Sequence, residues 1–330
     1  MLRTEIAELM DKDSVMYDVA QKVDYKLNLT AEEKEISEVC DAWAKDIGER
    51  GVDDGHELAA YLKRTVVDEV YNAPDELLDS MFDRGTVGEF DDYEAEKEAK
   101  NTLVAYEAAK GGNVDRSWID FSALKPTWKN RQVETDLSYV DLRKNGFKSV
   151  AKLTTFAKEA LYNALFYDVF GAVDAAITGG SQKIDVTGAA PTMTAMDALE
   201  LYLSERNTDP MAVCLAKYAQ GIARMDNYYQ YMSDSMKDNF NRYGLVDTYG
   251  RMKIASIASA HKQGNGDLLI PDKKIFGIAG KIGTLDMKGE LHVYEDMDNK
   301  KEAVNVKIAD FTYGYAISKI ENVAKIVFSA

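Results

Sequence analysis

Side chains suited to catalysis or metal binding are few and scattered in this sequence. The three histidines, His56, His261 and His292, lie in unrelated segments, and none has the HExxH or HxH spacing of a zinc site. The GxSxG motif of a nucleophilic serine does not occur. The carboxylates are numerous and dispersed, so no acid–base pair stands out. We therefore predict that the chain is not an enzyme and uses no metal and no cofactor.

Two segments come close to ligand-binding motifs but depart from them at decisive positions. For GIAGKIG to belong to a phosphate-binding loop, the chain would need glycine in place of Ile275, just before the segment, and serine or threonine in place of Ile282 within it. In EDMDNKKE, Lys300 occupies a position where a calcium loop needs an oxygen ligand. The first segment is typical of a strand with turn glycines, and the second of the tip of a hairpin.

A more informative cluster combines aromatic and basic side chains between positions 116 and 129. Tryptophan and arginine are the side chains that most often anchor protein interfaces. Because the surrounding segment has little core of its own, we predict that these side chains bury themselves on another subunit. The alternative is that they pack back under the same segment. The subunit-interface candidates are Arg116, Trp118, Phe121, Lys125, Trp128 and Lys129.

Length and composition indicate a folded protein of more than one lobe. The chain has 330 residues, of which 46% are hydrophobic and 29% charged, so a sizeable core is available. No apolar run approaches 18 residues, and the N-terminal segment MLRTEIAELMDKD has acids where a signal peptide is apolar. Cys40 and Cys214 belong to no CxxC pair, which favours free thiols in a reducing cytosol. We expect Cys214, inside an apolar run, to be buried and inert.

The net charge of −16 comes entirely from the first third of the chain. Residues 1–100 contain 28 Asp and Glu against 12 Lys and Arg, whereas the remaining residues contain 28 of each. This distribution argues against a basic groove for nucleic acid. The acids either form a solvated helical face or lie against basic patches of neighbouring subunits or a scaffold. Glu32, Glu33 and Glu35 are the acids that we would neutralise to test the second possibility.

The N-terminal segment has the periodicity and capping signals of helices. Thr30 with Glu33 three residues later forms a capping box, which predicts a helix that ends near Gly51. An apolar stripe at helical spacing predicts a second helix over about residues 53–71. Pro74 suits the start of a short third helix. The stripe of the second helix consists of Leu58, Leu62, Val66 and Val70.

Residues 84–146 lack this periodicity. The stretches GTVGEFDDYEAEKE and TLVAYEAAKGG fit either a strand or a frayed helix. In QVETDLSYVDLR, Val133, Leu137 and Tyr139 share one parity, which favours a strand. The whole region is typical of a long extended excursion, and such an excursion needs a surface to lie on. An ordinary β-hairpin insert is the alternative.

The clearest single element is a long helix over residues 147–178. Its apolar positions keep helical spacing throughout, no proline interrupts it, and Gly179 with Gly180 ends it. Roughly 30 residues in a helix would span about 45 Å. A helix of that length must act as a strut along one face of the molecule.

The remaining residues predict a mixed α/β region. TAMDALELYLSE has the pattern of an amphipathic helix, and Met211–Ala216 that of a buried strand leading into a helix. Further short strands separated by turn glycines are expected as far as the C-terminus. These strands are predicted at Arg251–Ala258, Asp267–Ile270, Lys274–Ala279, Glu290–Tyr294 and Ala303–Ala309.

The order of these parts resembles the major capsid proteins of tailed bacteriophages, over essentially the whole chain. NVDRSWIDFSALKPTWKNRQVETDLSYVDLRKNGFKSVAKL is similar to the end of the family's extended loop where it enters the long helix. DPMAVCLAKYAQGIARM stands where the family has a strand that leads into a helix. The segments RMKIASIA, GNGDLLIPDKKIFGIAGKIG and ADFTYGYAISKIENVAKIVFSA look like the strands that return to the family's peripheral lobe.

The resemblance implies an α+β fold of the Hong Kong 97 type. Its parts would be a helical N-terminal arm, an extended loop, a long spine helix, a peripheral lobe and an α/β axial lobe. The corresponding segments are an acidic helical arm at 1–83, the extended loop at 84–146, the spine helix at 147–180, the axial domain at 181–272 and the returning peripheral strands at 273–330.

The resemblance also implies a function. The protein would assemble with itself into hexamers and pentamers of an icosahedral shell in the host cytoplasm, and it would be part of the virion capsid. The shell would enclose double-stranded DNA without sequence-specific binding, and would touch no membrane. Scaffold, portal and decoration proteins are further expected partners. Two alternatives stay open: an encapsulin-like nanocompartment shell protein, and an α/β enzyme or binding protein whose site is not recognisable.

Overall fold

A computed structural model provides the structure of the chain. It describes residues 15–50, 57–67, 75–91, 97–100, 103, 105, 107, 120–123, 126–207, 209–225, 228–237, 246–262, 265–298 and 302–329. Among the helices of these ranges, none is both long and apolar enough to span a bilayer.

In the described residues, four helices precede the first strand. The capping box predicted at Thr30 is confirmed: the Thr30 N–H donates to Glu33 Oε2 at 2.9 Å, and the Glu33 N–H donates to Thr30 Oγ1 at 3.3 Å. Asp75 caps the fourth helix by accepting from the N–H groups of Leu77 and Leu78. The helices are α1 (Val15–Asp24), α2 (Ala31–Arg50), α3 (Glu57–Leu62), which continues into a π-helical turn (Lys63–Val67), and α4 (Glu76–Met81).

The N-terminal helices are part of the main hydrophobic core. Leu58, Leu62 and Val66, which the sequence placed on one stripe, are fully buried. Tyr61 lies between two other aromatic rings, with its centroid 5.7 Å from that of Trp43 and 6.0 Å from that of Phe147. Because Phe147 begins the long helix, residues 15–50 and 57–67 pack on their own chain.

The predicted long helix is confirmed as α6 (Phe147–Ala176), which follows a short helix α5 (Tyr139–Asn145). Its buried side recurs every three or four residues, as an amphipathic helix requires. Gly146 separates the two helices with φ +53°, a value that glycine adopts without strain. Most of the predicted stripe is buried, namely Val150, Ala157, Leu161, Leu165, Val169, Val173 and Ile177.

The start of α6 is capped by a side chain from a distant part of the sequence. Asp41 of α2 accepts a hydrogen bond from the Phe147 N–H at 3.1 Å, while Gly146 itself supplies no side-chain cap. Any Cβ on Gly146 would collide with the Asp41 carboxylate. One acid of the acidic N-terminal third therefore stabilises the first turn of the strut.

A five-stranded sheet lies against α6. Its long strand β12 pairs along its length with β4 on one side, and with β10 and then β11 on the other, while β1 pairs with β10 in parallel. The hairpin of β11 and β12 confirms that the segment EDMDNKKE joins two paired strands. The strands are β1 (Phe82–Val87), β4 (Thr127–Ser138), β10 (Gly283–Lys288), β11 (His292–Asp298) and β12 (Ala303–Ile317).

Two other strands, β2 (Lys97–Lys100) and β3 (Asp120–Ala123), form an antiparallel pair. They lie within the region 84–146, as does β4. Of the two stretches that the sequence left open between strand and helix, GTVGEFDDYEAEKE contains strand residues at 85–87 and 97–98.

A six-stranded sheet forms the second lobe, in the order β5-β13-β9-β6-β8-β7. Helix α7 (Met193–Ser204) packs so closely on it that Gly277 of β9 has no room for a Cβ beside Leu199 and Leu203. The strands are β5 (Lys183–Thr187), β6 (Met211–Leu215), β7 (Thr248–Tyr249), β8 (Met252–Ile257), β9 (Lys274–Ile278) and β13 (Val323–Ser329), and the short helices are α8 (Ala216–Ala223) and α9 (Tyr228–Tyr231).

This sheet corrects two sequence-based expectations. The boundary drawn at residue 272 separates strands that share a sheet, because β9 and β13 pair with each other and lie between β5 and β6. Only β10 to β12 of the segment 273–330 join the sheet that contains β4. The strand predicted at Asp267–Ile270 is wrong, since this stretch makes a single isolated bridge between Leu268 and Lys262.

We predict that Asp41→Ala lowers the free energy of unfolding by about 1 kcal/mol, because the first turn of α6 loses its cap. Asp46→Ala is the matched control. Asp41 and Asp46 each form an ion pair with a base four residues later on α2, but only Asp41 caps another helix. The control should change stability by less than about 0.5 kcal/mol in urea denaturation. Equal losses in the two variants would contradict the capping role.

Candidate assembly surfaces

The helix α6 is fastened to the five-stranded sheet through Asp168. Arg131 of β4 donates to this carboxylate from Nε at 3.1 Å and from Nη2 at 2.7 Å, and the Tyr313 hydroxyl of β12 donates at 2.6 Å. The hydrogen bond with Asp168 raises the pKa of Arg131 above its ordinary value. Burial, with help from the same carboxylate, raises the pKa of Tyr313. Arg131 is therefore a cation and Tyr313 a neutral donor at every relevant pH.

A second carboxylate, Asp174, fastens α6 to the six-stranded sheet. It accepts from Lys274 Nζ of β9 at 2.6 Å and from Lys325 Nζ of β13 at 2.8 Å. Lys325 is nearly buried, with 8% of its side chain exposed, and it also donates to the Asp174 carbonyl at 2.8 Å. Burial acts to raise the pKa of Asp174, but the two lysines outweigh it and hold that pKa below its ordinary value.

These two carboxylates make α6 the common support of both sheets. They stand six positions apart on one helix, which corresponds to about 9 Å along its axis. The aromatic ring of Phe170, between them in sequence, contacts Phe276 of β9 at a centroid distance of 5.9 Å. Hydrogen bonds and ring packing thus join α6 to both sheets.

Of the six interface candidates, Trp128 and Lys129 are described with their side chains, and both lie on β4. Trp128 is half-buried on its own sheet: its ring covers Gly314 of β12, where a Cβ would come within 3 Å of it, and Lys288 Nζ lies 5.6 Å from its centroid. Lys129 is exposed. Trp128 thus packs partly within its own chain, as the alternative prediction stated, and its role in an interface stays a prediction.

The other four candidates are less well placed for a test. Phe121 lies on β3, opposite Ala99 of β2, and only its backbone is described. Arg116, Trp118 and Lys125 lie outside the described residues.

Several large apolar side chains that the sequence reasoning did not single out are exposed. Phe90, in the turn after β1, is the most exposed at 92%. Its position between acids in EFDD could have marked it, since an aromatic residue among charges rarely belongs to a core. The others are Tyr25, Leu27, Leu103, Val140, Phe156, Tyr167, Leu201, Tyr294 and Ile320.

A cleft of about 640 Å³ runs between α1, α6 and the end of β8. Polar contacts cross or border it: Tyr25 donates to Glu159 Oε1 at 3.2 Å, and Asn163 donates to the Lys262 carbonyl at 3.1 Å. These contacts tie the N-terminal helices and the second lobe to α6.

The two thiols, Cys40 and Cys214, are buried. Burial raises the pKa of both Cys40 and Cys214 to about 12, so neither thiol is a ready nucleophile. The expectation that Cys214 is buried is confirmed. Within the described ranges, no group of three His, Cys, Asp or Glu side chains is placed to hold a metal ion.

Comparison with solved structures identifies the fold, although no protein-family model and no curated protein matches the chain. The capsid of Cyanophage P-SCSP1u superposes with a TM-score of 0.54 at 10% identity, over 76% of this chain and 88% of that one. A structure from Gordonia phage Cozz gives 0.54 at 11% identity, over 76% and 85%. One from Microbacterium phage Oxtober96 gives 0.52 at 10% identity, over 78% and 92%.

The chain has the Hong Kong 97-type capsid fold. At these identities the likeness concerns the fold alone. The α+β architecture that the resemblance implied is confirmed, and α6 is its long helix.

We predict that Asp174→Asn removes a component of acid sensitivity. A carboxyl whose pKa is lowered on folding stabilises the native state above its unfolded pKa of about 3.9, and this stabilisation is lost as pH falls through the folded pKa. The stability of the wild type should therefore fall more steeply below about pH 4 than that of the variant. Asp185→Asn, which removes an exposed partner of Lys183, is the control and should leave the slope unchanged. Urea denaturation between pH 3 and 7 measures both.

We predict that Trp128→Ala destabilises the isolated chain by about 1–2 kcal/mol, less than the loss of a fully buried aromatic residue. The reason is that its ring covers Gly314 and lies 5.6 Å from Lys288 Nζ within one chain. Lys129→Ala, the adjacent and exposed position, should have an effect below about 0.5 kcal/mol. A stability of Trp128→Ala equal to that of the wild type would assign the tryptophan to an intersubunit contact alone.

Proposed function

We propose that this chain is the major capsid protein of a tailed bacteriophage. It assembles with itself in the host cytoplasm into hexamers and pentamers, which close into the icosahedral shell of the virion. The shell encloses double-stranded DNA without reading its sequence. The observation that carries the proposal is the Hong Kong 97-type fold over three quarters of the chain, shared with a cyanophage capsid.

The two lobes suit such a subunit. In our proposal, α6 and the five-stranded sheet form the peripheral domain, and the six-stranded sheet with α7 and α8 forms the axial domain at the centre of each capsomer. Since β9 and β13 are strands of the six-stranded sheet, the axial domain includes residues 273–282 and 318–329 besides 181–272. The helices of residues 1–83 support the peripheral domain from their own chain.

The part of segment 84–146 between β1 and β4 is the extended loop, which lies with the start of β4 over the neighbouring subunit. Arg116, Trp118, Phe121, Lys125, Trp128 and Lys129 are its proposed contact residues. A large apolar side chain buried there contributes about 1.5–3 kcal/mol. Because the contacts repeat around closed rings, modest individual energies suffice for a stable shell.

The function is structural, and catalysis is not required for it. A shell subunit works through the geometry and number of its contacts. Scaffold, portal and decoration proteins are the other proposed partners, and they act at particular stages or positions of the same shell.

We predict that the purified chain, expressed alone, forms closed shells or rings of five and six subunits. Size-exclusion chromatography followed by negative-stain microscopy measures this. The nucleic-acid content of the particles, from their absorbance ratio and nuclease sensitivity, distinguishes a genome shell from a nanocompartment filled with protein. A chain that stays monomeric, even with the scaffold encoded beside it, would contradict the proposal and favour a binding protein or enzyme.

A further inference from the structure

A row of basic side chains marks the beginning of the long helix. Residues 143–158 contain five Lys and Arg and no Asp or Glu, in a chain whose net charge is −16. Lys144 lies in the last turn of α5, and Lys148 and Lys152, four residues apart, lie on one face of α6. All three are exposed. We call Lys144, Lys148 and Lys152 the basic ridge.

The basic ridge lacks an ion-pair partner in the part of its own chain that the structure describes. Among the described residues, none forms an ion pair with Lys144, Lys148 or Lys152, although other exposed lysines, such as Lys45 and Lys217, do so. The one contact of the ridge is aromatic: Lys152 Nζ lies 5.2 Å from the centroid of Phe156, which is itself half exposed. The surface therefore offers cations followed by an apolar ring.

A surface of the opposite character follows β1. In the turn Gly88–Asp91, closed by a hydrogen bond from the Asp91 N–H to the Gly88 carbonyl at 3.2 Å, Phe90 stands almost fully exposed between Glu89 and Asp91. In the described part of the chain, no cation pairs with either acid. We call Glu89, Phe90 and Asp91 the acidic turn.

We propose that the basic ridge of one subunit receives the acidic turn of a second copy of this chain. The inference rests on the proposed function, which it makes more specific by naming the two surfaces and their chemistry. Among the described residues, no ion pair or ring contact joins the two surfaces within one chain. Between copies, their charges and their aromatic rings are complementary.

The dimensions of the two surfaces match. Lys148 and Lys152 lie one helical turn apart, about 6 Å along α6. The side chains of Glu89 and Asp91, two residues apart around Phe90, are separated by a similar distance in extended or turn backbone. With one carboxylate on each ammonium group, Phe90 comes next to Phe156. Aromatic rings prefer such a contact, and Lys152 can then lie against both.

The other polyanion that a shell subunit meets is packaged DNA, and the observations favour the protein partner. The exposed Phe156 at the end of the ridge would gain no favourable contact with a phosphate backbone, but its ring can pack against that of Phe90. The ridge is also short, whereas binding along a nucleic acid needs a longer track of positive charge.

Disulfide trapping tests the contact itself. In Asp91→Cys/Lys152→Cys, mild oxidation should link successive copies, so that a non-reducing gel shows a ladder of multimers. Cys40 and Cys214 are buried, so we expect them to form no disulfides that would obscure the ladder. The control is Asp91→Cys/Lys253→Cys, whose second cysteine is exposed on β8 of the other lobe. A ladder in the first variant alone supports the proposal. The absence of a ladder, or equal ladders in both, overturns it.

Charge exchange tests the chemistry. Lys148→Glu/Lys152→Glu and Glu89→Lys/Asp91→Lys should each lower the yield of shells at least about tenfold, while the melting temperature of the monomer stays within a few degrees of the wild type. The quadruple variant, whose net charge returns to −16, should recover most of the yield. Wild-type yields in both double variants, or no recovery in the quadruple variant, would overturn the proposal.

The two experiments separate this inference from the proposed function. A ladder without closed shells supports the contact and contradicts the capsid role. Shells that form normally in every variant, without a ladder, support the capsid role and contradict the contact. If Lys148→Glu/Lys152→Glu forms shells in normal yield but retains less DNA, the ridge binds nucleic acid and the protein partner is wrong.

Discussion

The structure depends on two carboxylates of one helix, Asp168 and Asp174, which connect α6 to both sheets. Removing charges from water is costly, so a partly buried ion pair stabilises a fold only when each partner is well satisfied. That condition is met here: Asp168 receives a bidentate guanidinium and a phenol, and Asp174 receives two ammonium groups. These contacts are directional, whereas the surrounding apolar packing is not. They therefore fix how each sheet is set on the helix.

The acidic N-terminal third proves to be heterogeneous. Some of its carboxylates work inside the chain: Asp41 caps α6, and Glu33 completes a capping box and pairs with Lys22 at 2.6 Å. Others, such as Glu32 and Glu35, are exposed and have no ion-pair partner among the described residues. The two explanations considered for the acidic excess thus apply to different residues. A test that neutralised Glu33 together with its neighbours would mix an internal effect with an external one.

The same capsid fold at about 10% identity shows how little of it depends on particular side chains. A long amphipathic helix and two sheets tolerate wide substitution as long as volume and polarity pattern are kept. Function in such a protein resides in surfaces more than in a cluster of reactive groups. Exposed rings like Phe90 and Phe156 lower the solubility of a monomer. They are understandable in a subunit whose surface is completed by its neighbours.

Local signals in the sequence determined the elements, and long-range packing decided their arrangement. The capping box at Thr30, the helix from Phe147 and the buried strand from Met211 follow from periodicity and from caps that span a few residues. Other features depend on residues that are far apart in the sequence. They are the placement of β9 and β13 in one sheet with β5, the contact of Trp128 with Gly314 and the burial of Lys325. The sequence does not distinguish an exposed lysine from a buried one. Nor does a run of β-branched residues indicate which strand it will pair with. Only the folded chain, by bringing Asp174 to Lys325, decides which charge is taken out of water.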